Sequence, residues 1–187
     1  MSSRCSLDEI SLSYNGGKDC LVLLILLLCA LATYKKHALP KQLHSVYIIS
    51  PHPFKEVDAF VDESVATYNL DLARYAMPMK AAFQRYLDEH KKVKAILVGT
   101  RRTDPHGQSL THFDITDSGW PAFMRVHPVI DWHYAEIWAV SYFISERVKG
   151  IADSCSSFDI SRFLIVRCMT RDTHLLVAQR TRIPTRL

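Results

Sequence analysis

The 187-residue chain has no paired cysteines and no metal-binding cysteine spacing. Its five cysteines, at 5, 20, 29, 155 and 168, form no Cys-x-x-Cys pair. An odd, irregular set argues against a disulfide framework and for free thiols in a reducing compartment, which points to the cytoplasm. The chain also lacks an apolar run long enough to cross a membrane. The stretch from Leu21 to Ala32 falls short of the roughly 20 residues that a span needs. It follows a Lys-Asp pair and a glycine turn, unlike a secretory signal, and reads as a buried helix. Nothing resembles a transit peptide. Strong charge of either sign is missing too. A net charge of +4, scattered along the chain, suits anionic small molecules and argues against nucleic acid. No internal repeat or low-complexity segment is present. What remains is ordinary for a globular protein, 48% hydrophobic and 22% charged. The length suits one domain over residues 1–187 with a real core.

The most informative junction is Ser13-Tyr14-Asn15-Gly16-Gly17-Lys18-Asp19-Cys20, followed at once by the apolar run Leu21 to Leu28. Adjacent glycines let the backbone turn tightly with its N–H groups facing inward. A helix start behind them adds partial positive charge, and Lys18 adds a full one. Such a corner can hold an anion, above all nucleotide phosphates. The spacing differs from the common P-loop, which has four residues between its glycines and Ser or Thr after Lys. A plain glycine turn ahead of a buried helix has the same local sequence. Ile10, Leu12 and Tyr14 alternate with Ser11 and Ser13, which predicts a strand leading into the turn.

Strand and helix signals alternate over the first 140 residues. Helices are predicted from about Cys20 to His37, around Phe54, Val57, Phe60, Val61 and Val65, and over Ala81 to His90 with Ala82, Phe83, Tyr86 and Leu87 on one face. Strands are predicted at Leu43–Ser50, Leu70–Ala76 and Val93–Val98. This alternation argues for an α/β fold, a mainly parallel sheet wrapped by helices, with ligands at the carboxyl ends of the strands. The glycine corner and the segment after Val98 share that rim.

Residues 99–125 read as a long loop, and long loops in compact domains are often functional. It carries Arg101, Arg102, Asp104, His106, Asp114, Asp117, Trp120 and Arg125. Arginines fork onto phosphate oxygens. Carboxylates hold magnesium or accept from ring N–H groups and sugar hydroxyls. A tryptophan can lie flat on a heterocycle. The same residues also suit a polar surface loop built on turns at Thr103-Asp104-Pro105 and Ser118-Gly119-Trp120-Pro121. Asp131-Trp132 reads as a helix cap before Tyr134, Ile137 and Trp138. Cys20 reads as a small buried residue rather than a nucleophile.

Four blocks, SYNGGKDC, GTRRTDP, TDSGWPAFMR and HPVIDW followed by IW, stand in order over residues 10–139. Together they resemble the eukaryotic FMN adenylyltransferase (FAD synthase) family, relatives of the sulfonucleotide reductases. The resemblance implies a parallel sheet with helices on both faces, of the adenine nucleotide alpha hydrolase-like, PP-loop, PAPS reductase-like kind. It implies transfer of AMP from ATP to the phosphate of FMN, giving FAD and pyrophosphate with magnesium. Tyr14, Asn15, Gly16, Gly17, Lys18, Asp19, Ile48, Gly99 and Arg101 would then bind ATP. Asn15, Asp19 and Asp104 would be catalytic, with Asp104 also a metal ligand. Asp117, Trp120 and Arg125 would bind FMN. A sulfonucleotide reductase and a non-catalytic flavin or nucleotide-binding module are the alternative readings.

The match stops near Ala139. From Ser141 onward the chain has eight Lys/Arg against four Asp/Glu. Ser141–Val148 could extend a helix, and Arg162–Met169 and His174–Ala178 could be strands. Two origins stay open. One is sequence foreign to the family, as from read-through; the other is a divergent tail whose Arg180 and Arg182 replace the family's own arginines.

Overall fold

A computed structural model describes residues 6–34 and 42–142 of the chain. The expected tail strands, the helix extension beyond residue 142 and residues 35–37 of the expected first helix fall outside these residues. The chain divides into two compact units. The larger takes in described residues 6–24 and 42–142, the smaller residues 25–34.

After a short turn of helix at Leu7–Glu9 come β1 (Ile10–Ser13), α1 (Lys18–Tyr34), β2 (Leu43–Ile48), α2 (Lys55–Tyr68), β3 (Leu70–Tyr75), α3 (Met79–Glu89), β4 (Ala95–Leu97), β5 (Phe113–Ile115) and β6 (Met124–Val126). Residues 134–142 form a further helix, α4. The sheet runs β3-β2-β1-β4-β6-β5. All neighbours are parallel except β5 and β6. The expected mainly parallel α/β sheet is therefore present.

Side-chain alternation puts helices on both faces. Towards one face, Ser11 reaches Tyr86 of α3, and Val46 and Tyr75 join Ala82, Phe83, Tyr86, Val93, Ile96 and Phe123 in one core cluster. Towards the other, Tyr14 reaches Ser64 of α2 and Tyr47 reaches Asp58. β1 and β2 are thus covered on two sides, and β1 can alternate with serine because Ser11 is hydrogen-bonded beneath α3. In α1, Val22, Leu23 and Leu24 of the larger unit are buried, as are Ile25, Leu28 and Leu31 of the smaller. A helix apolar all round belongs in a protein interior. Among the described residues, no helix is long and apolar enough to cross a membrane.

Three expectations need correction. Phe54 and Phe60 do not line the core face of α2. Phe54 sits at the helix cap, 73% exposed, Phe60 is also exposed, and the buried positions are Val61 and Ser64. The segment 99–125 is not one continuous loop, because β5 lies inside it and β6 begins at its end. Three-residue strands with no fully buried side chain leave little periodicity to read. Asp131 does not cap α4. The N–H of His133 donates to the Glu136 carboxylate at 2.8 Å, half of a capping box. Asp131 instead accepts from Arg102 at 2.6 and 2.8 Å.

Two buried hydroxyl relays lock the helices to β1. The Ser11 hydroxyl donates to the His44 carbonyl at 3.1 Å, so the Tyr86 phenol, 2.6 Å away, must donate to Ser11. On the opposite face, Tyr14 donates to Ser64 at 2.8 Å and Ser64 donates to the Phe60 carbonyl at 2.8 Å. Burial pushes both phenols up to about 12, so they stay protonated donors. Ser11→Ala orphans a buried phenol and is expected to cost about 1–3 kcal/mol. Tyr86→Phe leaves Ser11 paired with His44 and costs less. The double variant regains part of the Ser11→Ala loss. Urea denaturation of the three proteins checks this order, and equal losses for the two single variants would contradict the relay.

Candidate active site

The strand order creates a switch point. From β1 the chain adds β2 and β3 on one side, then returns to place β4 on β1's other side. The loops leaving the carboxyl ends of β1 and β4 both lie at this point, where sheets of this kind bind their ligands. They are the glycine corner and the segment from Gly99.

The corner is shaped by what it cannot accommodate. Gly16 has φ +74°, and a Cβ there would stand 2.8 Å from Val61 Cγ2 of α2. The Asn15 side-chain oxygen accepts the Gly17 N–H at 2.9 Å, closing the turn. The Leu21 N–H donates to the Gly17 carbonyl at 3.0 Å, the first bond of α1. The amides of Lys18, Asp19 and Cys20 precede it and have no partner within the helix. Tyr14 offers this rim only its backbone, because its side chain is fully buried against α2. Ile48, at the tip of β2, is partly buried on the α3-side core.

Gly99 joins the two loops. A Cβ on it would lie 3.2 Å from the Asp19 carbonyl carbon and 3.3 Å from the Cys20 nitrogen. Backbone therefore packs on backbone, and Arg101 is delivered to the start of α1. Burial pushes the Cys20 thiol up to about 11, against backbone hydrogen bonds with Asn15 and Gly99. It is no thiolate nucleophile at neutral pH.

Four charges then form a chain. Lys18 Nζ lies 2.8 Å from Asp19 Oδ2. Arg101 Nε lies 3.2 Å from Asp19 Oδ1, without hydrogen-bond alignment, and both atoms are buried without another partner. Arg101 Nη2 donates to Asp104 Oδ1 at 2.8 Å, and the Arg101 N–H donates to Asp104 Oδ2 at 2.8 Å. Arg101 is 8% exposed. Two cations and two carboxylates thus balance at a helix N-terminus, next to free amides. A polyanion arriving there meets Lys18, Arg101 and the dipole, while the carboxylates are released to other partners.

Sequence reasoning missed Tyr134. Its ring centroid lies 5.3 Å from Lys18 Nζ and 5.7 Å from the Arg101 guanidinium carbon. One aromatic face from α4 therefore serves the cations of both loops. Nothing in its spacing marks it, since Tyr134 reads as an ordinary member of the Tyr134, Ile137, Trp138 set. Arg102, adjacent to Arg101, has an unrelated job. It forks onto Asp131 and donates to the Gln108 and Leu110 carbonyls, bracing the loop. His106 is exposed with φ 64°, a turn residue.

The other predicted residues form a second group. A turn with Gly119 at φ +82° brings the Trp120 N–H to the Asp117 carbonyl at 3.0 Å. Arg125 of β6 spans Asp117 with both Nη atoms at 3.4 Å and donates to the Ile115 carbonyl at 3.1 Å. Trp120 is 39% exposed. Among the described residues, no hydrogen bond or ion pair connects this group with Asn15–Asp19 or Asp104. His127, just beyond β6, is buried with neither ring nitrogen hydrogen-bonded, and burial lowers its pKa despite Asp114 at 4.0 Å.

The sequence matches the family profile described as "Phosphoadenosine phosphosulfate reductase domain" over residues 9–83 and 73–150. A probable FAD synthase of Schizosaccharomyces pombe is 43% identical over 134 residues, covering 70% of this chain and 51% of that protein. The flavin adenine dinucleotide synthase of Saccharomyces cerevisiae is 35% identical over 162 residues, covering 76% and 53%. Candida glabrata FMN adenylyltransferase, crystallised with FMN and the ATP analogue AMPCPP, aligns with a TM-score of 0.70 and 39% identity, covering 75% of this chain and 50% of that one. The chain thus spans about half the length of these relatives.

If Tyr134 holds the two cations in place, Tyr134→Ala should weaken binding of inorganic pyrophosphate about fivefold, from exposed cation–π contacts of about 0.5–1 kcal/mol each. Tyr134→Phe keeps the ring face and should bind like the parent. Titration calorimetry on the full chain measures both. Equal weakening by the two variants would assign the effect to the phenol hydroxyl instead.

Proposed function

The chain belongs to the phosphoadenosine phosphosulfate reductase domain family, and we propose that within it this protein is an FMN adenylyltransferase, transferring AMP from ATP to FMN to give FAD and pyrophosphate. One observation carries the reading: Gly99 packs on the first turn of α1, so Lys18, Asp19, Arg101 and Asp104 meet beside the amides that open the helix. The likeness to FAD synthases and to a structure holding FMN and an ATP analogue supports the choice of substrates.

In this mechanism a phosphate oxygen of FMN attacks the α-phosphorus of ATP. The bond from that phosphorus to the bridging oxygen of the β-phosphate breaks, and pyrophosphate leaves. The attacking oxygen is already anionic, so no strong base is required. The protein's work is to hold two polyanions in line and offset their repulsion. Gly16, Gly17 and the first amides of α1 cradle the β- and γ-phosphates, with Lys18 alongside. Asn15 keeps the turn closed. Arg101, held by Asp19, Asp104 and Tyr134, meets the charge that develops on the leaving group. The tip of β2 at Ile48 lies by the adenine. Asp117, oriented by Arg125, accepts from the flavin's polar edge, and Trp120 covers the ring.

The acidic pair fits magnesium. Asp19 Oδ1 is a buried oxygen with no hydrogen-bond partner, and each Asp104 oxygen accepts one bond and keeps a lone pair. Hard carboxylate oxygens shared with phosphates suit this ion. Held by Asp19 and Asp104, magnesium would neutralise phosphate charge and polarise the reacting phosphorus. The cytoplasm, a reducing compartment, suits thiols such as Cys20 and Cys29 that are in no disulfide.

Incubation of the full chain with ATP, FMN and magnesium, followed by chromatography, should yield FAD. Binding of both substrates without FAD would overturn catalysis and leave a binding module. Asp19→Ala should lower turnover by about 100-fold or more with the fold intact by circular dichroism. Trp120→Ala should weaken FMN about tenfold and leave ATP affinity nearly unchanged. Equal weakening of both substrates would place Trp120 away from the flavin.

A further inference from the structure

The opposite rim of the sheet carries a group of side chains that the reaction does not use. His44 is the second residue of β2 and Asp71 the second of β3, and the two are register partners across the parallel pair. His90 is the C-cap of α3, the helix that follows β3 and returns to the strands' amino ends. One potential ligand atom from each of the three lies within 4.8 Å of the others. His44 Nδ1 stands 2.9 Å from Asp71 Oδ2. The His44 and His90 rings meet edge-on with centroids 5.3 Å apart.

We propose that His44, Asp71 and His90 form a three-ligand site for a divalent zinc-class ion. Two imidazoles are borderline donors that favour zinc over magnesium, and zinc also accepts a carboxylate as its third ligand. Zinc binds such donors at about 2.0–2.2 Å, and small side-chain rotations close a 4.8 Å set onto one ion. The backbone already fixes the three positions. The Tyr86 ring lies 4.5 Å from the His90 ring, and its phenol is tied through Ser11 to the His44 carbonyl, so the buried relay steadies both imidazoles. The His90 N–H donates to the Tyr86 carbonyl and the Val93 N–H to the His90 carbonyl, at 2.8 and 2.9 Å. The nearby cations Lys92 and Lys94 are drawn to Asp8 and Glu9. All three ligands are partly exposed, which gives an ion access and leaves its fourth position to water. In the absence of an ion, the same His44–Asp71 contact serves as a hydrogen bond.

The test uses the full chain stripped by a chelator and titrated with Zn²⁺ against a chromophoric competitor at neutral pH. One equivalent should bind, and excess Mg²⁺ should not displace it. Loss of an outer-shell partner alone costs about 10–100-fold in metal affinity, so His90→Ala and Asp71→Asn should each lose at least that much. Both variants should keep the parent's circular dichroism, and His44→Gln serves as a second probe should either fail to fold. Unchanged uptake in these variants would assign the zinc to other histidines or cysteines and overturn the site, as would no uptake at all.

Discussion

Everything at the carboxyl rim depends on a place where no side chain fits. At Gly99 the chain leaves β4 and presses its backbone against the Asp19 carbonyl and the Cys20 amide. Gly16 packs instead on α2, where a Cβ would meet the Val61 and Val57 side chains. The Gly99 contact fixes the loop after β4 on the first turn of α1, and the Gly16 contact fixes the glycine corner on α2. Only then can Arg101, two residues past Gly99, reach Asp19, and only then do two sequence blocks more than 80 residues apart become one site. A Cβ at Gly99 would crowd the backbone of the helix start, and one at Gly16 would push into Val61 at a φ of +74° that disfavours any side chain.

The charges assembled there are balanced before any ligand arrives. Lys18 and Arg101 are both held by carboxylates, and burying Arg101 without those partners would cost several kcal/mol. On the proposed reading, this balance keeps an empty cradle stable. Phosphates would then take over the cations, and Asp19 and Asp104 would be left to hold magnesium, so that substrate charge replaces protein charge at nearly constant total. Tyr134 fits the same economy, because a ring face holds a cation without neutralising it.

The main elements were legible because burial imposes periodicity. α3 buries Ala82, Phe83 and Tyr86 at helical spacing, and β2 buries four of its six residues, so their runs show it. The corner was legible as a turn, since a Gly-Gly pair directly before an apolar run marks a tight bend into a buried helix. β5 and β6 were not, since three-residue strands with no buried side chain carry no period. Nor could sequence separate Arg101 from Arg102. The two are chemically identical neighbours, and only the turn Asp104 closes sends one inward to Asp19 and the other out to Asp131. Asp131 looked like a helix cap for the same reason: a cap and an ion-pair partner use the same carboxylate. Asp117 and Arg125 read as two independent ligands but pair with each other across the β5–β6 hairpin.

The sheet thus presents two chemically distinct ends. The carboxyl rim gathers hard oxygens, cations and amides suited to phosphates, and the amino rim gathers imidazoles with a carboxylate. The claim that matters most concerns the first. A crystal structure of the full chain with magnesium and a non-hydrolysable ATP analogue tests it most directly. The account predicts the β- and γ-phosphates on the amides that open α1, with Arg101 turned from Asp104 toward phosphate oxygen. A triphosphate bound elsewhere, or bound there with the Lys18–Asp19–Arg101–Asp104 chain unaltered, would contradict it.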